Sequence, residues 1–321
     1  MSLSLKTKLC EQLNLRWPIV LAPMAGVSGG RLAKVVSAAG GLGMIGAGYA
    51  DAAGIHQELK STQPHKVGIG FITWYLARHP NQLDAALEHD LAAVMLSFGD
   101  AAPFAERVKL NGVPLILQVQ TVAGAREAQA LGADVIIAQG AEAGGHGARR
   151  GLFALLPAVV DAVSPTPVIA AGGIADGRGI AAALVLGASG ALIGTRFYAS
   201  REAVGHAVAK EALVRGSGDN TVRTRVFDIV RKYDWPEQYT GRALVNAFTH
   251  HWHGRENALS DALETETPAY WEAVRSGDIE TAAVWASEGI DLIKSIEPAD
   301  VLLARLVSEA RRCLSASDPV R

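Results

Sequence analysis

Val135-Ile136-Ile137-Ala138-Gln139-Gly140-Ala141-Glu142-Ala143-Gly144-Gly145-His146-Gly147 decides how this chain is read. Its first four residues are apolar without alternation, as a strand must be when both of its faces are buried in a parallel sheet. The strand then runs into a glycine-rich loop. Beyond the loop, Leu155, Leu156, Val159, Val160 and Val163 repeat at helical spacing. The segment is one strand–loop–helix unit.

The same rhythm extends in both directions. Short apolar runs stand at Ile19–Ala22, Leu42–Ile45, Val67–Phe71, Ala92–Leu96, Pro114–Val119, Val168–Ala171 and Ala191–Ile193. Helical stripes lie between them, such as Leu32, Val35, Val36 and Ala39, closed by Gly40-Gly41. Asn81, Thr121 and Asp176 suit N-caps, and Gly112, Gly132 and Gly187 suit helix ends. Eight strands in this order predict an α/β chain closed as a (β/α)₈ TIM barrel, with a doubly wound open sheet as the competing architecture.

The rhythm stops after Tyr198. Residues 204–275 are richer in charge and aromatics and read as a smaller, mainly helical accessory domain covering the barrel mouth. Residues 1–203 and 276–321 are assigned to the barrel. Leu302, Leu303, Leu306 and Val307 mark a last amphipathic helix that closes the barrel from outside.

Composition narrows the function. With 321 residues, 49% hydrophobic and 19% charged, the chain can bury a large core. A formal net charge of −2 gives no global pull toward nucleic acid or anionic membrane, so a small-molecule substrate is expected. Cys10 and Cys313 build neither a disulfide framework nor a zinc pattern. Met1–Cys10 has no apolar signal core, and Ile180–Gly194 is too short to span a bilayer; a cytoplasmic protein is expected.

Chemistry is sought at the C-terminal ends of the strands, where barrel enzymes carry their sites. Gly172-Gly173 and Gly194-Thr195 fit a phosphate site after the last two strands, although each pair would also serve as a tight turn. His146 is the lone histidine of the glycine-rich loop, and an imidazole there can exchange a proton near neutral pH. A loop histidine bonded to a carbonyl is the plainer alternative. His250, His251 and His253 lack matching carboxylates or cysteines and are expected at a surface or interface, with no metal. Arg223, Arg225, Arg231 and Lys232 are expected to form a solvated basic face rather than an anion contact.

Together, Gln139–Gly147, Ala22-Pro23-Met24, Ala171-Gly172-Gly173-Ile174 and Gly194-Thr195-Arg196-Phe197 resemble the nitronate monooxygenase family, formerly 2-nitropropane dioxygenases. The resemblance spans roughly residues 10–200. It implies FMN across the barrel mouth, with its phosphate on Gly172, Gly173, Gly194 and Thr195. Ala22, Pro23 and Met24 would lie against the isoalloxazine, and Gly70, Gln118, Gln139 and Gly144 would complete the pocket. His146 matches the family's active-site histidine. The implied reaction oxidises an alkyl nitronate with O₂ to a carbonyl compound and nitrite.

Glu142 is left as an orienting group for His146, a ribityl contact or a loop cap. Trp74 and Tyr75 either wall the flavin pocket or pack behind it. Gly70 stands where many relatives carry asparagine, and Gln118 where some carry lysine. NAD(P)H-dependent enoyl-acyl-carrier-protein or quinone reductases resemble the same barrel. A flavin-free barrel binding a phosphorylated metabolite would use the same loops. A homodimer is left open.

Overall fold

The computed structural model describes residues 5–316. Strands β1 (Ile19–Leu21), β2 (Met44–Gly46), β3 (Gly68–Ile72), β4 (Val94–Ser97), β5 (Leu115–Val119) and β6 (Val135–Gln139) follow one another around a parallel sheet. After the short β7 (Gly145–Gly147), which stands outside this sheet, β8 (Val168–Ala171) and β9 (Gly190–Ile193) complete it. β1 pairs with β9, and a parallel bridge from Val20 to Leu42 brings the first and second strands together. The sheet is therefore a barrel rather than an open sheet.

All eight expected strand regions become strands because neither face meets water. Val20, Met44, Met95, Ile116, Ile137, Ile169 and Leu192 fill the interior. Their neighbours Ile19, Leu21, Ile69, Leu96, Leu115 and Ile136 pack outward against the helices. Leu9, fully buried on a short helix from Lys8 to Gln12, joins the interior cluster. Burial of each such side chain contributes about 1.5–3 kcal/mol, which offsets the entropy of fixing the chain.

Thr121 and Asp176 cap their helices by accepting from backbone N–H groups. Gly112, Gly132 and Gly187 take positive φ at helix ends. Asn81 is a correction. It is the first helical residue, with Pro80 in the cap position and no side-chain cap bond; proline's fixed φ already suits that place.

After β9 the chain leaves the barrel through a short helix, Thr195–Tyr198. Helices Ala207–Arg215, Val226–Val230, Ala247–Trp252, Glu256–Asp261 and Leu263–Ser276 make the next region mainly helical. It also contains β10 (Thr221–Thr224) and β11 (Thr240–Leu244), a sheet that was not expected. Phe227, Phe248, Trp252, Leu259 and Tyr270 give this region its own core.

The chain returns as the helix Ala299–Ala316. Leu302, Leu303, Leu306 and Val307 are all buried on it. It packs against the helices Gly177–Val185 and Gly30–Ala38, so it fills the eighth outer position, next to the first. No helix of the described residues is long and apolar enough to cross a membrane.

Candidate active site

The top of the barrel opens into a cavity with about 1240 Å³ of atom-free space, part of it continuous with solvent. Ala22, Pro23, Met24, Gly70, Gln118, Gln139, Gly144, His146, Gly172, Gly173, Gly194 and Thr195 all line it. Twelve residues picked from six strand ends thus meet in one place, because parallel strands in a barrel all point their C-terminal ends the same way.

Close packing explains several of the glycines. A Cβ on Gly144 would stand 2.7 Å from the Ala286 carbonyl carbon and the Ser287 nitrogen. Gly172 and Gly173 take φ of +112° and +70°, which favours glycine at the turn after β8. Gly70 has a different reason: its Cβ would lie 2.3 Å from Cγ of Pro23. The proline ring occupies the space an asparagine side chain would need.

Two features point to a ligand. The backbone N–H groups of Gly172, Gly173, Gly194 and Thr195 make no hydrogen bond among the described residues. Gln118 also leaves its buried Nε2 without a partner. A buried donor unpaired by protein costs about 1–3 kcal/mol, so an acceptor belongs in this cavity. Gln139, by contrast, is engaged. It accepts from Gln120 at 2.9 Å and donates to the His146 carbonyl at 2.9 Å. It anchors the loop as well as lining the cavity.

His146 sits on β7, which pairs antiparallel with β11, His146 opposite Gly241. The three-stranded sheet β10-β11-β7 therefore joins the barrel loop to the accessory region. Its imidazole Nε2 lies 2.9 Å from both carboxylate oxygens of Asp228. Trp235 stacks flat on the ring, centroids 3.4 Å apart and planes within 1°. Burial pushes the His146 pKa below its ordinary 6.5, with Arg231 and Arg223 acting in the same direction and Asp228 opposing them. The resting imidazole is neutral near pH 7.

The arginines correct the sequence reading. Arg231 is largely buried; its Nη2 donates to Asp228 at 2.7 Å and its Nε to the Phe227 carbonyl at 2.7 Å. Arg223 donates to the carbonyls of Ala141, Ala143, Gly147 and Thr240, bracing the histidine loop. Arg225 reaches Glu237 at 3.9 Å. Only Lys232 keeps the expected exposed place. Loop carbonyls hold Arg223 inward, because a backbone carbonyl buried without a donor is costly, whereas the Asp228 carboxylate and the Phe227 carbonyl hold Arg231.

Glu142 does not reach His146. Both its oxygens accept from the Leu152 N–H, at 2.8 and 3.0 Å, capping the following helix. Trp74 and Tyr75 pack behind the cavity wall, edge-on to Trp235 and Tyr49 respectively. Tyr49, Phe98, Arg231, Trp235, Trp285 and Ser287 line the cavity and were not foreseen. His250 and His251 are exposed, and His253 bonds to Thr224 at 3.1 Å. No group of three or more potential metal ligands occurs among the described residues.

Fold and site define a (β/α)₈-barrel enzyme with a buried imidazole at the mouth. A family model described as nitronate monooxygenase matches residues 6–67 and 70–309. The nitronate monooxygenase npaC of Metarhizium robertsii is 34% identical, over 96% of this chain and 96% of its own. Among solved structures, FabK from Thermotoga maritima superposes with a TM-score of 0.87 at 30% identity, covering 97% of each chain. A nitroalkane oxidase from Streptomyces ansochromogenes gives 0.82 at 31%, covering 96% and 99%. The chain belongs to the nitronate monooxygenase family of flavin-dependent oxidoreductases.

Proposed function

We propose that this protein binds FMN across the barrel mouth and oxidises alkyl nitronates, or the parent nitroalkanes, with O₂ to carbonyl compounds and nitrite. The observation that carries the reading is the meeting of unpaired backbone donors with a buried neutral imidazole in one cavity. Free N–H groups at Gly172, Gly173, Gly194 and Thr195 suit a phosphate, and the unpaired Nε2 of Gln118 suits a carbonyl or ring nitrogen of the cofactor. Ala22, Pro23, Met24 and Gly70 offer a flat apolar bed, and Gln139 and Gly144 close the rim. When bound, the flavin supplies the electron transfer that nitronate oxidation requires.

The chain's own residues do the remaining work. The neutral imidazole of His146 takes the α-proton of a nitroalkane or orients a nitronate already formed. The guanidinium of Arg231, on the cavity wall, favours the anion that results. Trp235, Trp285, Tyr49 and Phe98 keep water from the reacting carbon.

Purified protein should be yellow and release FMN on denaturation. Anaerobic addition of a nitronate should bleach it, and air should then yield nitrite. Bleaching by NADH or NADPH but not by a nitronate would instead favour a nicotinamide-dependent reductase. A colourless protein that takes up no FMN would reject both.

A further inference from the structure

Asp228 lies 82 positions beyond His146, on the helix Val226–Val230, yet both its oxygens stand 2.9 Å from Nε2. It is buried, with a side chain 3% exposed. We propose that Asp228 is the positioning residue of the site: it holds His146 as the Nε2–H tautomer, so that Nδ1 takes the substrate proton. This rests on the reading of His146 as the proton acceptor.

The argument begins with Arg231. Its Nη2 lies 2.7 Å from Oδ1 of Asp228, while its Nε is fixed on the Phe227 carbonyl. A carboxylate offers a guanidinium and an imidazole only acceptor oxygens. A neutral imidazole facing it must carry its proton on the near nitrogen, Nε2. Nδ1 makes no hydrogen bond among the described residues, and the imidazole lines the cavity.

The ring has no freedom to trade its nitrogens. Trp235 holds its plane from one face, and the carboxylate holds Nε2 within that plane. Behind the ring, Gln139 grips the His146 carbonyl and β11 grips the strand. The charged groups acting on the ring are Asp228, Arg231 and Arg223; Trp235 and Trp285 carry no charge. Sequence distance hid the pair, since the loop and the helix belong to different parts of the chain.

The test reads the tautomer directly. In the full chain with ¹⁵N-labelled histidine, His146 is identified by the signals missing from His146→Asn. At neutral pH the proton is expected on Nε2. In Asp228→Asn, Arg231 still claims the side-chain oxygen, which turns the amide NH₂ toward His146. The imidazole should then flip to Nδ1–H.

That variant should lose about 10²-fold in kcat on a neutral nitroalkane, with KM and FMN retention little changed. Asp228→Glu should restore the Nε2–H form and part of the rate. Wild-type His146 protonated at Nδ1 would overturn the proposal even if Asp228→Asn fails to fold. An unchanged tautomer and rate in a folded Asp228→Asn would overturn it too. The tautomer is read without substrate, so a failed nitroalkane assay counts against the activity, whereas an Nδ1–H imidazole counts against Asp228.

Discussion

A neutral imidazole can accept a proton only while it stays unprotonated, and that condition fixes the pH dependence expected of His146. Burial lowers its pKa below 6.5. With a neutral nitroalkane, kcat/KM should be flat near pH 7 and fall as pH drops through a midpoint below 6.5. A falling limb centred above that value would show an imidazole stabilised as the cation and would contradict the geometry. His146→Asn should retain FMN while losing about 10²-fold or more in turnover. Unchanged kinetics would remove the histidine from the reaction. Its place at the cavity was open to reading because a single histidine in a run of glycines has few structural reasons to be there. Asp228 and Arg231 were not legible. A charge beside other charges looks like a solvated face, and only the folded chain reveals that Arg231 is turned inward onto Asp228 and that Asp228 faces His146.

The glycine turns after β8 and β9 belong to the scale of elements, and the substitution that tests them must leave those elements intact. Gly194 has φ −104° and an added Cβ would meet only Ala22 and Met24, each at 3.4 Å. The fold itself therefore tolerates a side chain. Gly194→Val should fold with near-normal stability, yet lose at least about 10-fold in FMN affinity, read by flavin fluorescence titration, if a phosphate sits on this turn. Undiminished affinity would move the phosphate elsewhere. The barrel strands could be read to within a residue or two because double-sided burial leaves no other composition for them. β7 escaped notice for the opposite reason. Gly145-His146-Gly147 has no apolar signal, and its strand character comes wholly from its partner β11.

Across the whole molecule, the accessory region is tied to the barrel at both ends and through the sheet that carries His146, yet it has a core of its own. Damage to the two cores should therefore register differently. Leu306→Ala opens a cavity beneath the eighth outer helix, where the side chain is fully buried, and should cost about 2–5 kcal/mol of barrel stability. Leu259→Ala should cost a similar amount in the accessory core, where Leu259 is also fully buried. Because β11 holds the histidine strand and Asp228 follows Phe227 of that core, the second variant should lose turnover on mild heating before far-ultraviolet circular dichroism reports loss of the barrel. In Leu306→Ala, activity and ellipticity should fall together. Coincident transitions in both variants would make the two cores one cooperative unit, and would mean that the sheet β10-β11-β7 couples them more tightly than their separate burial suggests.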